Sequence, residues 1–211
     1  MTPKEMYYEK RGQILVKNLE SRHFEAYYCA NKEEALKKAL ELIPEGASVG
    51  WGGTMTATAM GLQNAIHAGP YRAMDRDRCA TTEEREKLQR EMFFADAFIT
   101  GANALSLDGQ MVNIDGTGNR VAPIVYGPGM VIVVAGMNKV EDSLDAAMNR
   151  ARTVAAPMNK QRFPNQTPCG VTGNCADCKS AESICNQILI TRNCRPAGRI
   201  KFILIGEDLG F

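Results

Sequence analysis

Short uncharged runs rich in β-branched residues alternate along this chain with longer segments of helical periodicity. The clearest run is 131–134, Val-Ile-Val-Val, and 97–100 is a second. Apolar residues recur at helical spacing on either side, at 35–43 and 140–154. Strands that alternate with helices pair in parallel, and helices then cover both faces of the sheet. The sequence therefore predicts an α/β fold, a three-layer sandwich around a mostly parallel sheet.

The same patterns predict individual elements. Residues 5–28 and 31–43 are predicted as helices, which makes 1–45 a helical N-terminal segment. The uncharged run 121–138 is predicted as buried strands, because Pro123 and the turn at 127–129 leave it short of the roughly 20 apolar residues of a spanning helix. Further predicted elements are a helix at 82–94, a hairpin of 104–107 with 111–114, and strands at 47–50, 71–74, 187–191 and 201–205. We expect one domain over 1–211, with a cysteine-rich loop at 155–186.

Charge and cysteine content exclude several classes of function. The chain carries 25 basic and 24 acidic side chains, so no overall field attracts it to nucleic acid or to an anionic membrane. Charged residues at 4–11 precede any apolar run, which argues against a secretory signal and predicts a cytoplasmic protein without membrane insertion. In a reducing compartment, seven cysteines are expected as metal ligands, reactive thiols or core residues rather than as disulfides.

A glycine-rich loop follows the predicted strand at 47–50 and opens a helix. Its sequence over 50–56 is Gly-Trp-Gly-Gly-Thr-Met-Thr. Glycines allow close approach of the backbone to a ligand, and free amides with threonine hydroxyls can hold a phosphate or carboxylate. The loop lacks the lysine of a P-loop, and a tight turn with a helix cap is the alternative interpretation. The candidate ligand-binding residues are Gly50, Gly52, Gly53, Thr54 and Thr56.

A polar segment at 101–120 follows the next predicted strand. Ligands of doubly wound folds bind at the carboxyl edge of the sheet, where this segment is expected to lie. Asn103, Asn113 and Asn119 are candidates for orienting a polar ligand, and Arg120 is a candidate partner for a carboxylate. Asp115 and Asp108 are candidate acid/base residues, although Asp108-Gly109 is also an ordinary turn signal.

A cysteine cluster at 169–185 has the spacing C-x5-C-x2-C-x6-C. Four thiolates in a loop-rich segment are typical ligands of zinc or of an iron–sulfur cluster. The outer spacings fit no standard ferredoxin or zinc-finger pattern, and structural thiols or disulfides formed in air remain alternatives. The predicted metal ligands are Cys169, Cys175, Cys178 and Cys185, with Cys194 as a spare ligand.

Several runs together resemble the LUD domain, the lactate-utilization family. They are Ala-Asp-Ala-Phe-Ile-Thr-Gly-Ala-Asn-Ala at 95–104, Ser-Leu-Asp-Gly at 106–109, Val-Asn-Ile-Asp-Gly at 112–116, Gly-Asn-Arg at 118–120 and Val-Val-Ala-Gly-Met-Asn-Lys at 133–139. With the glycine loop, the cysteine segment and the last six residues, the resemblance covers about 5–211. It implies a NagB/RpiA/CoA-transferase-like fold in which the glycine loop and the Asp-Gly segment flank a small-ligand site.

The resemblance also implies a metabolic setting. Better known members belong to a multi-subunit, iron–sulfur-dependent system that oxidises lactate to pyruvate. This chain lacks the repeated C-x2-C-x2-C-x3-C-P runs of the iron–sulfur subunit, so it is similar to the small accessory subunit, with iron–sulfur subunits as partners. It also shows no obvious glutamate nucleophile of CoA-transferases.

Three hypotheses follow from the sequence. The first is a protein of lactate or hydroxy-acid utilization that binds a small anion at the glycine loop and a metal or cluster at the cysteine loop. The alternative is a stand-alone transferase or isomerase that acts on a sugar phosphate, an acyl-CoA or a hydroxy acid. A structural subunit that binds no small molecule is the third. The tyrosine-rich N-terminal helix offers a surface for a homo-oligomer.

Overall fold

The computed structural model describes residues 1–211, in which helices and strands alternate for most of the chain. The helices are α1 (Pro3–Ser21), α2 (Lys32–Leu42), α3 (Met55–Ala59), α4 (Leu62–Ala68), α5 (Thr82–Glu91), α6 (Val121–Tyr126), α7 (Leu144–Arg150), α8 (Ala156–Lys160) and α9 (Pro168–Thr172). The strands are β1 (Glu25–Cys29), β2 (Ser48–Trp51), β3 (Arg72–Met74), β4 (Ala97–Gly101), β5 (Ala104–Ser106), β6 (Met111–Asp115), β7 (Met130–Gly136), β8 (Val140–Glu141), β9 (Gln187–Thr191) and β10 (Ile200–Ile205). A π-helical turn at Ala151–Ala155 joins α7 to α8.

The main sheet has six strands in the order β1-β10-β7-β4-β2-β3, and every pairing is parallel. Its central strand β7 alternates between two cores. Val131 and Val133 pack with Leu15 of α1 on one face, and Ile132 and Val134 pack with the helices α2 to α4 on the other. Burial of both faces explains why the central strands are continuous apolar runs. The predicted α/β fold with a parallel sheet between helices is confirmed.

A second sheet of four strands has the order β8-β5-β6-β9. It contains the predicted hairpin, because β5 and β6 pair antiparallel around Asp108-Gly109. Its small core packs against α7 through Ala104, Val112 and Ala147. The late strand β9 pairs with β6, so it belongs to this second sheet and not to the main one.

Two predicted elements were wrong. Residues 25–29 form strand β1 instead of continuing a helix, because α1 ends at Ser21 and His23 has a left-handed φ of 68°. Pairing with β10, more than 170 residues away, holds this strand in the sheet. Residues 121–126 form helix α6 instead of a strand, and Pro123 is tolerated there because it lies in the first turn, where backbone amides have no helical partner.

None of the helices combines the length and the apolar character that crossing a bilayer requires.

Candidate functional site

A cavity of about 460 Å³ opens at the carboxyl edge of the main sheet. Its walls come from the loops that follow β2 and β4, from the loop between β6 and α6, and from Lys139 just after β7. Asn159 of α8, Arg162 in the turn after α8, and Phe211 also line it. The two polar segments predicted from the sequence therefore meet at one cavity.

The glycine loop contributes part of its residues to this cavity. Gly52, Gly53 and Thr54 line it, and the Thr54 hydroxyl also caps α3 by accepting from the Ala57 amide at 3.4 Å. Gly50 lies within β2 and does not line the cavity. Thr56 is fully buried beside it, where its hydroxyl donates to the carbonyl of Leu209 at 3.1 Å.

Arg120 is partly buried in the wall of the cavity, and its guanidinium is held by oxygen atoms of the chain. Nη1 donates to the Asn113 Oδ1 at 2.6 Å and to the Gly101 carbonyl at 3.2 Å. Nη2 donates to the Asn103 Oδ1 at 2.9 Å and to the Ile114 carbonyl at 2.6 Å. With four acceptors already provided, Arg120 joins the two sheets and supplies positive charge to the cavity.

The three predicted asparagines lie around this arginine. Asn103 and Asn119 line the cavity, whereas Asn113 is fully buried behind it. The Asn103 Oδ1 also accepts from the Ile114 amide at 2.9 Å, so its oxygen is fully used. The buried Asn113 Nδ2 has no hydrogen-bond partner in the chain. Two of these asparagines therefore serve first to hold Arg120.

The two candidate aspartates lie in different parts of the structure, and only one of them lines the cavity. Asp115 lines the cavity, and its Oδ2 accepts from the amides of Arg120 at 2.9 Å and Val121 at 3.1 Å. Its other oxygen accepts no hydrogen bond from the chain. Asp108 lies outside the cavity in the hairpin turn, where it forms an ion pair with Arg22 at 2.7 Å. Asp108 therefore cannot act on a ligand in this cavity.

Lys139 is a residue of the cavity that sequence reasoning missed. It is 4% exposed, and its Nζ donates to the Thr56 hydroxyl at 3.1 Å and to the Ala102 carbonyl at 3.2 Å. Burial, helped by the charges of Arg150 and Arg120, lowers the pKa of Lys139 from 10.5 to about 7. The sequence does contain one signal that could have identified Lys139, which is its position directly after the most strand-like run of the chain.

Arg76 is a second missed residue, and it has an unsatisfied donor. It lines the cavity, and its buried Nε has no hydrogen-bond partner. The nearest carboxylate, Asp77, is 3.8 Å from Nε and mostly exposed. Burial, helped by the charges of Arg85 and Arg162, lowers the pKa of Arg76 from its ordinary value.

The charged side chains that line the cavity are mainly positive. The cations are Arg76, Arg85, Arg120, Lys139 and Arg162, and the anions are Asp77 and Asp115. An excess of cations in a concave, partly desolvated site attracts anions.

The four predicted metal ligands come together at a different place. Cys169, Cys175, Cys178 and Cys185 all line one cavity of about 70 Å³. Burial is the main cause that raises the pKa of Cys185 to about 11, and the three neighbouring thiols add to it. No three side chains of this group are arranged to hold a single metal ion. Cys194 is buried in the main core and takes no part.

The fold and the cavity define an α/β protein with a cationic cavity at the carboxyl edge of a parallel sheet. Residues 12–205 match the family model of the LUD domain. The chain therefore belongs to the LUD domain family, as its sequence motifs predicted. No protein of curated function matches the sequence.

Solved structures resemble this fold to different degrees. A DUF162 family protein from Deinococcus radiodurans has a TM-score of 0.52 at 11% identity, over 95% of this chain and 97% of that one. The translation initiation factor eIF-2B of Pyrococcus horikoshii OT3 has a TM-score of 0.36 at 16% identity, over 54% of this chain and 48% of that one. A D-ribose-5-phosphate isomerase has a TM-score of 0.35 at 20% identity, over 54% of each chain. The first shows the shared fold, and the other two are partial likenesses that carry no weight for function.

Proposed function

We propose that this chain binds a small anion, a hydroxy-acid carboxylate or a phosphate ester, in the cavity at the edge of the main sheet. Membership of the LUD domain family supports lactate or related hydroxy-acid utilization as the setting of this binding. The observation that carries it is the buried Nε of Arg76, a donor without a partner in a cavity with excess positive charge. A buried cation with an unsatisfied donor costs free energy that an anion would recover.

Three cations take different parts in this proposal. Arg76 donates directly to the anion, because its Nε is free. Lys139 contributes a positive charge when its amine is protonated, and the Thr56 hydroxyl and Ala102 carbonyl hold that amine in place. Arg120 contributes mainly its charge, since its two terminal nitrogens already donate to four acceptors of the chain.

The size of the cavity suits a small metabolite. Ligand sites in proteins commonly measure about 300–1,000 Å³, and the observed 460 Å³ falls in that range. Polar groups on several walls, among them Asn119 and Thr54, provide partners for hydroxyl groups of a ligand. The site therefore suits a hydroxylated anion better than an apolar one.

The experiment is a calorimetric titration with lactate, pyruvate, inorganic phosphate, sugar phosphates and coenzyme A. A ligand present at about 100 times its Kd should also stabilise the fold by about 2.7 kcal/mol in a thermal-shift assay. Arg76→Gln should weaken binding at least about tenfold, because a charged hydrogen bond contributes about 1.5–3 kcal/mol. Arg72→Gln is the matched control, since Arg72 is 75% exposed on β3 and does not line the cavity. If none of these anions binds, the proposal is wrong, and a structural subunit becomes the favoured alternative.

An isomerase or transferase is the second candidate function. Lys139, with a pKa of about 7, and the free oxygen of Asp115 lie in the same cavity, and a group with a pKa near neutrality is suited to acid/base catalysis. Asp115→Asn keeps an oxygen that can accept from the amides of α6, so the fold should survive. If the substitution abolishes turnover of a bound ligand but keeps its affinity, the protein is an enzyme. Asp108→Asn, outside the cavity, should leave turnover unchanged.

A further inference from the structure

The four clustered cysteines line one cavity together with eight other residues. A single zinc ion would need all four sulfur atoms within about 2.3 Å of one point. Here all four cysteines line a cavity of about 70 Å³, and no three of the side chains surround a single-ion position. Iron–sulfur clusters are bound by four cysteine thiolates and fill a larger space than one ion. The geometry points to a cluster.

We propose that Cys169, Cys175, Cys178 and Cys185 hold one iron–sulfur cluster, and that this cluster fixes a wall shared with the anion cavity. The second half of the proposal rests on the proposed function, because it concerns the affinity of that cavity. The first half stands on the cysteine geometry alone.

The surroundings of the cysteine cavity are suited to an anionic centre. Arg152 lines this cavity and offers a guanidinium beside the thiols, while it also forms an ion pair with Asp177 at 2.5 Å. The Thr167 hydroxyl lies 3.4 Å from the Cys169 Sγ, within reach of a thiolate. Four thiolates and their cluster carry net negative charge, which such donors stabilise.

The shared wall is built from two short segments. Ile114 of β6 lines both cavities. Of two consecutive residues in the facing segment, Ile184 lines the anion cavity and Cys185 lines the cysteine cavity. Only one layer of chain therefore separates the proposed cluster from the proposed ligand.

Hydrogen bonds connect the cysteine segment to the aspartate loop. The Asn186 amide donates to the Asp115 carbonyl at 2.8 Å, and its Nδ2 donates to the Gly116 carbonyl at 3.0 Å. A Cβ on Gly116 would lie 3.3 Å from the Ile184 Cα, so the glycine permits this close approach. A cluster bound through Cys185 would hold Ile184 and Asn186 against the loop that carries Asp115.

The first experiment measures iron, acid-labile sulfide and zinc in protein purified without oxygen and reconstituted with ferrous iron and sulfide. We expect iron and sulfide in equal amounts, with the visible absorption of a cluster. Cys178→Ser should lose both, and Cys79→Ser should keep both, since Cys79 lies outside the cysteine cavity. Bound zinc without sulfide, or wild-type protein without metal, would overturn the proposal whether or not a variant folds.

The second experiment compares cluster-loaded and cluster-free wild-type protein by amide hydrogen exchange. The Asn186 amide should exchange at least about tenfold more slowly in the loaded protein, because local opening then breaks the cluster ligation. Inorganic phosphate should bind more tightly to the loaded form. Equal exchange rates of the Asn186 amide in the two forms would overturn the proposal that the cluster fixes the shared wall. If neither form binds phosphate, the ligand proposal is weakened, and exchange at Asn186 still decides the wall.

Discussion

At the scale of the residue, burial has its clearest effect on the pKa of Lys139. Its ammonium is almost fully enclosed, with only a hydroxyl and a carbonyl as partners, and its charged neighbours are the cations Arg150 and Arg120. The result is a pKa of about 7. A lysine with this pKa changes its charge near neutral pH, so the charge of the cavity depends on pH in the range where most cells operate.

Replacing Lys139 with methionine should therefore change how stability depends on pH. Above pH 7 the unfolded chain keeps a proton on Lys139, up to its ordinary pKa of 10.5, whereas the folded chain has lost it. The free energy of unfolding of the wild type should rise with pH across this window, relative to Lys139→Met. The penalty of burying the charge is fully present below pH 7. Urea unfolding of both proteins at several pH values measures the difference, and parallel curves would contradict the assignment.

The same proton should control ligand binding. For a carboxylate ligand whose own charge is constant between pH 6 and 9, affinity should fall as pH rises through about 7, because Lys139 becomes neutral. Lys139→Met should bind more weakly and show a flatter pH profile. Calorimetric titration at three pH values tests this, and an unchanged profile in the variant would assign the dependence to another group.

At the scale of the element, the glycine loop after β2 is shaped by its packing against Arg120. A Cβ on Gly52 would lie 2.7 Å from the Arg120 Cγ, and that stem cannot retreat because its guanidinium donates to four acceptors. The loop therefore needs a glycine here for close approach of the arginine.

Gly52→Ala should destabilise the fold by about 1–3 kcal/mol, the usual cost of overpacking a filled site. It should also weaken anion binding, since it displaces Arg120 from the cavity wall. Gly129→Ala is the control, because no atom lies within 4 Å of its added Cβ. Urea unfolding midpoints give the comparison. A wild-type midpoint for Gly52→Ala would show that the loop shifts freely.

Much of the element pattern could be predicted from local sequence. The apolar run of β7, the Asp108-Gly109 hairpin and the loop after β2 all carry their own signals. Strand β1 carries no such local signal, because its partner β10 lies at the other end of the chain. Helix α6 was missed because Pro123 resembles a break unless the start of the helix is known. Elements defined by tertiary partners are the ones that local patterns miss.

The candidate site, too, has a part that local sequence predicts and a part that it does not. The segments that line the cavity were predicted because they follow strands that end at one sheet edge. The roles of individual residues in these segments were not predicted, because the Arg120 guanidinium donates to oxygen atoms of the chain and Asp108 forms an ion pair with Arg22. Arg76 gives no pattern in sequence, and the one sequence signal for Lys139 is its position just after β7. Burial is what distinguishes these two cations from surface charges.

At the scale of the whole molecule, two sheets meet around buried arginines. Arg150 of α7 is 8% exposed, and it donates to the Asn103 carbonyl at 2.7 Å and to the Asn138 carbonyl at 3.1 Å. These carbonyls belong to the loops that leave β4 and β7 of the main sheet. Arg150 thus attaches the helix of the second sheet to the edge that forms the cavity.

Arg150→Met should cost at least about 2 kcal/mol of stability, because it leaves two buried carbonyls without a donor. Lys87→Met, on the exposed side of α5, should change stability by less than about 0.5 kcal/mol. Chemical denaturation measures both. If Arg150→Met unfolds at the wild-type midpoint, the contact between the two sheets does not depend on this arginine.

Diffraction would locate the anion that we propose at Arg76 and Lys139. Crystals grown with selenate would reveal the anion by its anomalous scattering. We expect a peak in the 460 Å³ cavity within hydrogen-bond distance of the Arg76 Nε, and no such peak in Arg76→Gln crystals. An empty cavity in crystals of a protein that binds the same anion in solution would contradict it.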